Sequence, residues 1–425
     1  MQSSQQLRFA GDVSIDKVQI VTPKGFFQDI TAQVQNIAFY EDIFSPFITG
    51  SVIVKESLDL VNLFPFIGEE YLDLEITTPT LVDTKISGKY YIYKLTEREM
   101  LGDRSVVYQL HFISVEAVTD LNKKLSKTFS GKVSELVEGL VKDKAYGLES
   151  EKKVFVDPTF TSIKYISNFW SPVKNLMHLC TNAANMNKTP NYVFFENRDG
   201  FYFMSLEALY QNKVKTEFVL DKYTRDNVPG GTDARNVTED FKRILNISIP
   251  TAYDYMDRIS SGMLGSKQIT YDVTKKSYST KNYNMFERFK EQKHLNQFPV
   301  NSDKAIFRSN SAIINYPKAF GNFSNSGNAT NSETNQERIS LMKLAEANKL
   351  EITVPGRTDY TVGQKVFVNL KRIEPVSGKD DDIQDKMFSG NYLIAAINHL
   401  VNKENHECHM ELIKETSLMD MNRNK

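Results

Sequence analysis

Gly68-Glu69-Glu70-Tyr71-Leu72-Asp73-Leu74-Glu75-Ile76, followed by Ser87-Gly88-Lys89-Tyr90-Tyr91-Ile92, decides the fold because the chain writes it twice. Near the other end stand Gly363-Gln364-Lys365-Val366-Phe367-Val368-Asn369-Leu370 and then Ser389-Gly390-Asn391-Tyr392-Leu393-Ile394. Each copy runs from a turn glycine through an alternating strand and a polar loop to Ser-Gly-x-Tyr, a second strand, a polar tip and a last strand. Apolar residues at every second position are the mark of a half-buried strand. The repeat positions are therefore Gly68, Ser87, Gly88 and Tyr90 in the first copy, and Gly363, Ser389, Gly390 and Tyr392 in the second. Two remote copies of one β unit point to duplication into two similar small domains. A duplicated chain lets a homo-oligomer approach a higher symmetry than its subunit count, so a ring is expected.

Around these copies the sequence divides into four parts. Residues 1–120 alternate well enough for about six strands, with one short apolar helical stretch from Ser57 to Phe66 ended by Pro65; this is the content of a small closed barrel. Residues 121–212 change pattern. Ser130 to Val141 and a helix opened by Ser171-Pro172 have helical spacing, and Asn191 to Phe203 reads as a hairpin turning at Asn197 to Gly200. Residues 213–275 and 343–425, the latter after a helix from about 334 to 347, make a second, discontinuous barrel that includes strands at Arg243–Pro250 and Gly265–Asp272. Residues 276–342 are a peripheral insertion with a flexible loop, richest in Ser and Asn from Gly321 to Asn335. The expected class is α+β, β-dominated: two similar small antiparallel β-barrels with an α+β domain and a loop-rich insertion between them.

Composition narrows the function. The chain of 425 residues has 52 basic and 53 acidic side chains, a formal net charge of -1, without the basic surplus that phosphate binding needs. Cys180 and Cys408 are the two cysteines, so no disulfide framework is expected and both read as reduced thiols. The N-terminal residues have no signal-peptide pattern, and no run of 18 apolar residues occurs, so no membrane-spanning segment is expected. There is no phosphate-binding glycine loop, no His-Glu-x-x-His, no Gly-x-Ser-x-Gly and no CxxC pair. His406-Glu407-Cys408-His409 has ligand-type residues, but on a strand His406 and Cys408 face one way and His409 the other; the cluster reads as a strand near a barrel rim. His178 reads as a half-buried structural histidine. Glu69-Glu70 and Glu97-x-Glu99 are pairs that any chain with 53 acidic residues offers and point only weakly to a glycosidase; Asp380-Asp381-Asp382 reads as a solvated loop, and the sequons at Asn236 and Asn246 carry little without a secretory route. No catalytic residue, cofactor or metal is expected.

Three segments carry a family resemblance. Phe39-Tyr40-Glu41-Asp42-Ile43-Phe44-Ser45-Pro46-Phe47-Ile48-Thr49-Gly50-Ser51-Val52, running on to Ile67-Gly68-Glu69-Glu70, resembles the first tube domain of baseplate central hub proteins of contractile-tailed bacteriophages. Phe194-Phe195-Glu196-Asn197, with Asp199-Gly200-Phe201, Phe203 and Ser205-Leu206, is similar to a segment between the two tube domains of those proteins. Ile352-Thr353-Val354-Pro355-Gly356-Arg357 with Thr361-Val362-Gly363-Gln364-Lys365-Val366 is similar to the closing half of the second tube domain. The hub module of type VI secretion spike proteins is similar as well. The resemblance implies a homotrimer whose six tube domains form a pseudo-hexameric ring. That ring joins the tail tube, or a tube-initiator protein, above to a central spike protein below, with neighbouring wedge proteins around it and DNA passing through without specific binding. A β-helical needle does not follow Asp420, so a separate spike partner is implied. Such a trimer is expected to depend on buried area rather than on disulfides or metal, and its lumen to be acidic and neutral rather than basic. The location implied is the virion tail baseplate, after assembly in the host cytoplasm. The competing readings are a tail-associated cell-wall hydrolase and the hub of a secretion-type injection system.

Overall fold

The computed structural model describes residues 7–422 apart from 59, 64–65, 82, 103, 221–236, 273–275, 318–328 and 373–383. Pro65, Asn236, the Asp380–Asp382 run and most of the Ser/Asn-rich loop lie outside the described residues. Seven strands come first: β1 (Ser14–Val21), β2 (Phe27–Asp29), β3 (Val34–Asp42), β4 (Thr49–Glu56), β5 (Tyr71–Thr77), β6 (Ile86–Leu101) and β7 (Ser105–Ser114). The middle part holds β8 (Thr128–Lys132), β9 (Val154–Val156), β10 (Ser162–Ile166), β11 (Tyr192–Asn197) and β12 (Gly200–Ser205). Then follow β13 (Val214–Val219), β14 (Asn246–Ser248), β15 (Gly265–Asp272), β16 (Ser277–Asn284), β17 (Phe298–Pro299) and β18 (Ile313–Pro317). The chain ends on β19 (Asn348–Pro355), β20 (Lys365–Asn369), β21 (Gly390–Asn402), β22 (His406–Lys414) and β23 (Thr416–Ser417).

Alternation in the sequence becomes alternation in burial. In β5 the leucines Leu72 and Leu74 and then Ile76 point into the core while Asp73 and Glu75 do not. The first series of strands is ordered β3-β4-β7-β6-β5-β1, and the second β14-β19-β22-β21-β20-β13. When each strand is ranked by its place along the chain, the two orders are the same. The registers agree too. Gly88 pairs with Leu74 and Tyr90 with Leu72; Gly390 pairs with Val368 and Tyr392 with Val366. Each long strand then slips register at the same distance past its glycine, between Ile92 and Lys94 in β6 and between Ile394 and Ala396 in β21. One pairing differs, since β1 runs antiparallel to β5 whereas β13 runs parallel to β20. Matched this way, Gly363 falls on Glu69, not on Gly68. Both glycines take positive φ, +89° and +80°, at the turn into their strand, and the first copy has one more residue between turn and ladder.

Two separate barrels were expected, yet the described strands of both series form one 13-stranded sheet. The joint is β21. Its first residues, Gly390 to Leu393, pair with β20, and Ala396 to Asn402 pair with Asp42 to Asn36 of β3. No ladder closes either series into a barrel among the described residues; in the second series a single bridge, Val219 to Arg243, brings the end strands together. A second difference concerns Gly265–Asp272. As β15 it pairs with β16 and β18 in a small sheet of its own, over a core of Met263, Leu264, Met285 and Leu344. The polar composition of β16 hid this sheet: all but its last two residues are exposed. The helix before β19 also begins earlier than its spacing predicts, at Ala329.

The middle part follows its sequence signals more closely. Ser171 caps helix Pro172–Asn182 by accepting from the Lys174 amide at 3.3 Å, and β11 and β12 form the hairpin. Phe194, Phe201, Phe203 and Tyr192 fill the core beneath two helices, with Phe194 and Phe201 stacked at 5.6 Å.

Candidate functional surface

The three segments that carry the family resemblance meet at one side chain. Glu41 on β3, only 2% exposed, accepts from the Arg198 amide at 2.9 Å, from the Val362 amide at 3.1 Å and from the Thr361 hydroxyl. It thus ties the first series to the β11–β12 turn and to the loop before β20. Burial lifts the Glu41 carboxyl above its usual range, against the opposing pull of Thr361, Arg198 and the Val362 amide. A second buried carboxylate, Glu196, accepts from the Ile48 amide at 3.1 Å and from Lys152. Lys152 also bonds Glu116 at 2.8 Å, and Ser150 donates to Glu116 at 2.7 Å. Burial works against the Lys152 charge, but Glu196 and Glu116 outweigh it and hold the ammonium above its usual pKa. Buried charges arranged in this way fix relative placement; the sequence offered no motif for them.

On the face away from the cores, the seam between the two series forms a groove of about 600 Å³, floored by β3, β19, β21 and β22. Asp42, Glu351 and Glu411 line it, with Asn398 and His409. Burial raises the Asp42 pKa, the hydrogen bond from Phe44 opposes this, and Glu411 adds to the rise while Lys349 offsets it. Lys349 is held by Glu411 at 2.9 Å. The residues that line the groove include carboxylates and neutral side chains and no Lys or Arg, with Lys349 paired beside it.

Two strand edges stand open on the same sheet. Past the Ile92 amide, which donates to the Glu70 carbonyl at 2.9 Å, no described strand pairs with β6 on the β5 side, and its tip exposes Met100 (74%) and Leu101 (49%). Among the described residues β14 pairs with β19 alone, and Leu245 (51%) and Ile249 (39%) flank it.

The repeat positions lie in or at the entries to β5, β6, β20 and β21. Tyr90 and Tyr392 are buried core residues. The Tyr90 ring lies over Gly88, where a Cβ would come within 2.9 Å of its hydroxyl. Tyr392 donates to the Phe388 carbonyl at 2.6 Å, and the Ser389 hydroxyl accepts from the Leu370 amide at 2.9 Å. Ser87 pairs with Glu75 on β5. Gly390, at φ +135°, sits 2.9 Å, measured from a Cβ, from the Asn296 side-chain oxygen. His178 packs against Tyr165 and Trp170, and burial lowers its pKa. His406 and Cys408 share a face as their spacing demands and His409 faces the groove, but the two are joined by His399 of β21, which sequence reasoning did not single out.

No protein-family profile matches the chain. Over 411 residues it is 19% identical to a probable baseplate hub protein of Vibrio phage KVP40, covering 92% of each chain. Among solved structures it is similar to a tail protein from Neisseria meningitidis, with a TM-score of 0.56 at 11% identity over 95% of this chain and 97% of that one. It is also similar to a tail protein of a prophage from Shewanella oneidensis, with a TM-score of 0.54 at 9% identity over 94% and 98%. The likeness to baseplate hub proteins read from three short segments therefore extends along nearly the whole chain.

Proposed function

We propose that the chain is the hub subunit of a phage baseplate: a non-enzymatic virion protein that trimerises into a ring of six similar units, joins tail tube to spike and lets DNA pass. The first unit is the β1–β7 series within residues 1–120. The second is β13, β14 and β19–β22, and the parts around 121–212 and 255–347 are carried outside them. The observation that carries the reading is the repeated strand order together with the two open edges. Inside one chain, β21 past its bulge pairs with β3. By the matched registers β21 corresponds to β6, and Asn36 of β3 to Asn246 of β14. The open edge of β6 and the open edge of β14 are therefore the two halves of the contact that the chain already makes with itself.

If β6 of one copy pairs with β14 of the next, every unit meets its neighbour in the same way around the ring, and three copies supply six units. The exposed apolar side chains flanking both edges fit a surface that is covered on assembly. The acidic and neutral groove suits a wall past which phosphate slides without being gripped. Native mass of the purified protein, alone and with its spike partner, is the test, with a cell-wall digestion assay beside it. A trimer without hydrolysis is expected. A chain that stays monomeric under both conditions, or that digests wall, overturns the proposal.

A further inference from the structure

We propose that His399, His406 and Cys408 form a buried binding site for one thiophilic closed-shell cation, Zn²⁺ or Cu⁺. The three side chains come from facing strands: His399 on β21 is paired with Cys408 on β22, and Val401 with His406. Their potential ligand atoms converge. His399 Nδ1 lies 3.0 Å from His406 Nε2, and Cys408 Sγ lies 3.3 Å from the first nitrogen and 3.6 Å from the second. A circle through three atoms so spaced has a radius of about 1.9 Å, and a cation displaced slightly from its plane meets the ~2.0–2.1 Å to nitrogen and ~2.3 Å to sulfur that zinc adopts.

All three residues are 0% exposed. Among the described residues, the hydrogen bonds these side chains make to other side chains run only among the three; the backbone at Tyr360 and Arg357 also reaches His399 and Cys408, and His399 Nε2 and His406 Nδ1 have no partner at hydrogen-bond geometry. Two imidazoles and a thiol closed into a core with so few partners are costly to bury, and coordination is the interaction that such a donor set is suited to satisfy. The donors are pre-positioned. The His406 amide donates to the Gly11 carbonyl at 2.9 Å and its carbonyl accepts from Gly356 at 2.7 Å, while Phe39 packs on His399 with ring centroids 6.2 Å apart. Binding displaces the Cys408 thiol proton to solvent, so a thiolate and two neutral imidazoles hold the ion. With Cu⁺ the three-donor set is neutral, which suits a closed core. With Zn²⁺ a net positive charge remains and a fourth ligand, such as water, is needed.

The site is independent of the assembly reading, since all its ligands belong to one hairpin. The test is full-length protein refolded anaerobically with Zn²⁺, with Cu⁺ or with Co²⁺ as a spectroscopic stand-in, then dialysed, with metal content and absorption measured. We expect one retained ion per chain, a thiolate-to-metal charge-transfer band, and an upward shift of the unfolding midpoint. Stronger retention of Zn²⁺ or of Cu⁺ identifies the natural occupant. Cys408→Ser should abolish the band and Cys180→Ser should leave it. If Cys408→Ser does not fold, X-ray absorption on the unaltered protein takes its place, with one sulfur and two imidazole nitrogens around the ion expected. No retained ion and no band with any of the three cations, or a coordination shell without sulfur, overturns the proposal.

Discussion

Replacing Glu41 by alanine should loosen the junction of all three resemblance segments at once. The carboxylate serves three donors: the amides of Arg198 and Val362 and the hydroxyl of Thr361. Each buried donor left unsatisfied costs about 1–3 kcal/mol, giving roughly 3–9 kcal/mol for the three. The carboxylate is itself expensive to bury, as its raised pKa records, so removing it returns part of that cost and about 3–5 kcal/mol should remain. Unfolding of a chain with several cores need not be two-state, so the readout is local: hydrogen exchange at the Arg198 and Val362 amides should quicken by on the order of 10²–10³-fold. Glu41→Gln keeps an acceptor oxygen and should cost less. The sign with pH follows from the direction of the shift. A carboxyl whose folded pKa is raised binds its proton more tightly in the native state, so its contribution is fully present below the unfolded pKa and is lost as pH rises through the folded one. The unaltered protein should therefore gain protection at this junction on acidification from neutrality, and Glu41→Gln should not. If Glu41→Ala changes exchange at both amides by less than about fivefold, roughly 1 kcal/mol, Glu41 is not the tie described here.

Other perturbations test other parts. Met100→Lys combined with Ile249→Lys sets like charges on the two open edges; trimer mass should fall to monomer while the monomer's unfolding midpoint stays unchanged, and an unaltered trimer would refute the edge pairing. Gly356→Ala would bring a Cβ within 2.2 Å of the His406 ring, an overpacking cost of about 1–3 kcal/mol or more, read as a lowered urea midpoint; an unchanged midpoint would show that the ring has room to move. His294 is buried, which lowers its pKa, but Glu415 beside it more than compensates and the net shift is upward. Its stabilising contribution is thus present below the unfolded pKa and lost as pH rises through the raised folded value. Exchange around residues 289–296 should quicken in that window for the unaltered protein and show no such step in His294→Gln.

What was legible in the sequence was whatever repeats locally. The alternation of Tyr71 to Thr77, the Ser171-Pro172 helix start and the two-residue turn at Arg198-Asp199 depend on neighbours in the chain, and the structure has them where their pattern put them. Ser-Gly-x-Tyr stands at the start of β6 and of β21, while Gly68 and Gly363 fall one residue out of register, because a turn can lengthen without disturbing the ladder. The rest depends on residues far apart. Nothing near Glu41 announces Thr361, 320 positions away. His399 looked unremarkable until β21 and β22 paired and set it against Cys408. β16, with Ser277-Tyr278-Ser279-Thr280-Lys281-Asn282, has no buried face to advertise, so its pairing with β15 left no signal in its hydropathy.

The open edges bear most directly on how such a chain must assemble. A strand edge with unpaired backbone groups is a template for any other edge, and proteins that keep one exposed usually blunt it. Here exposed apolar side chains, Met100 and Leu101 on β6 and Leu245 and Ile249 beside β14, stand at both edges, with the charged Lys94, Glu97, Arg98 and Glu99 between them and the core on β6. The two edges are not self-complementary: by the matched registers each corresponds to a different side of the β21–β3 contact. Pairing one with the other is therefore heterologous, and a heterologous contact either closes into a ring or grows into an open filament. The internal contact already sets the step from one unit to the next within the chain. If the contact between chains repeats that step, closure after three chains satisfies every edge and halts growth. On the proposed assembly, the edges that would let the isolated subunit pair with any other edge are the ones that ring closure covers.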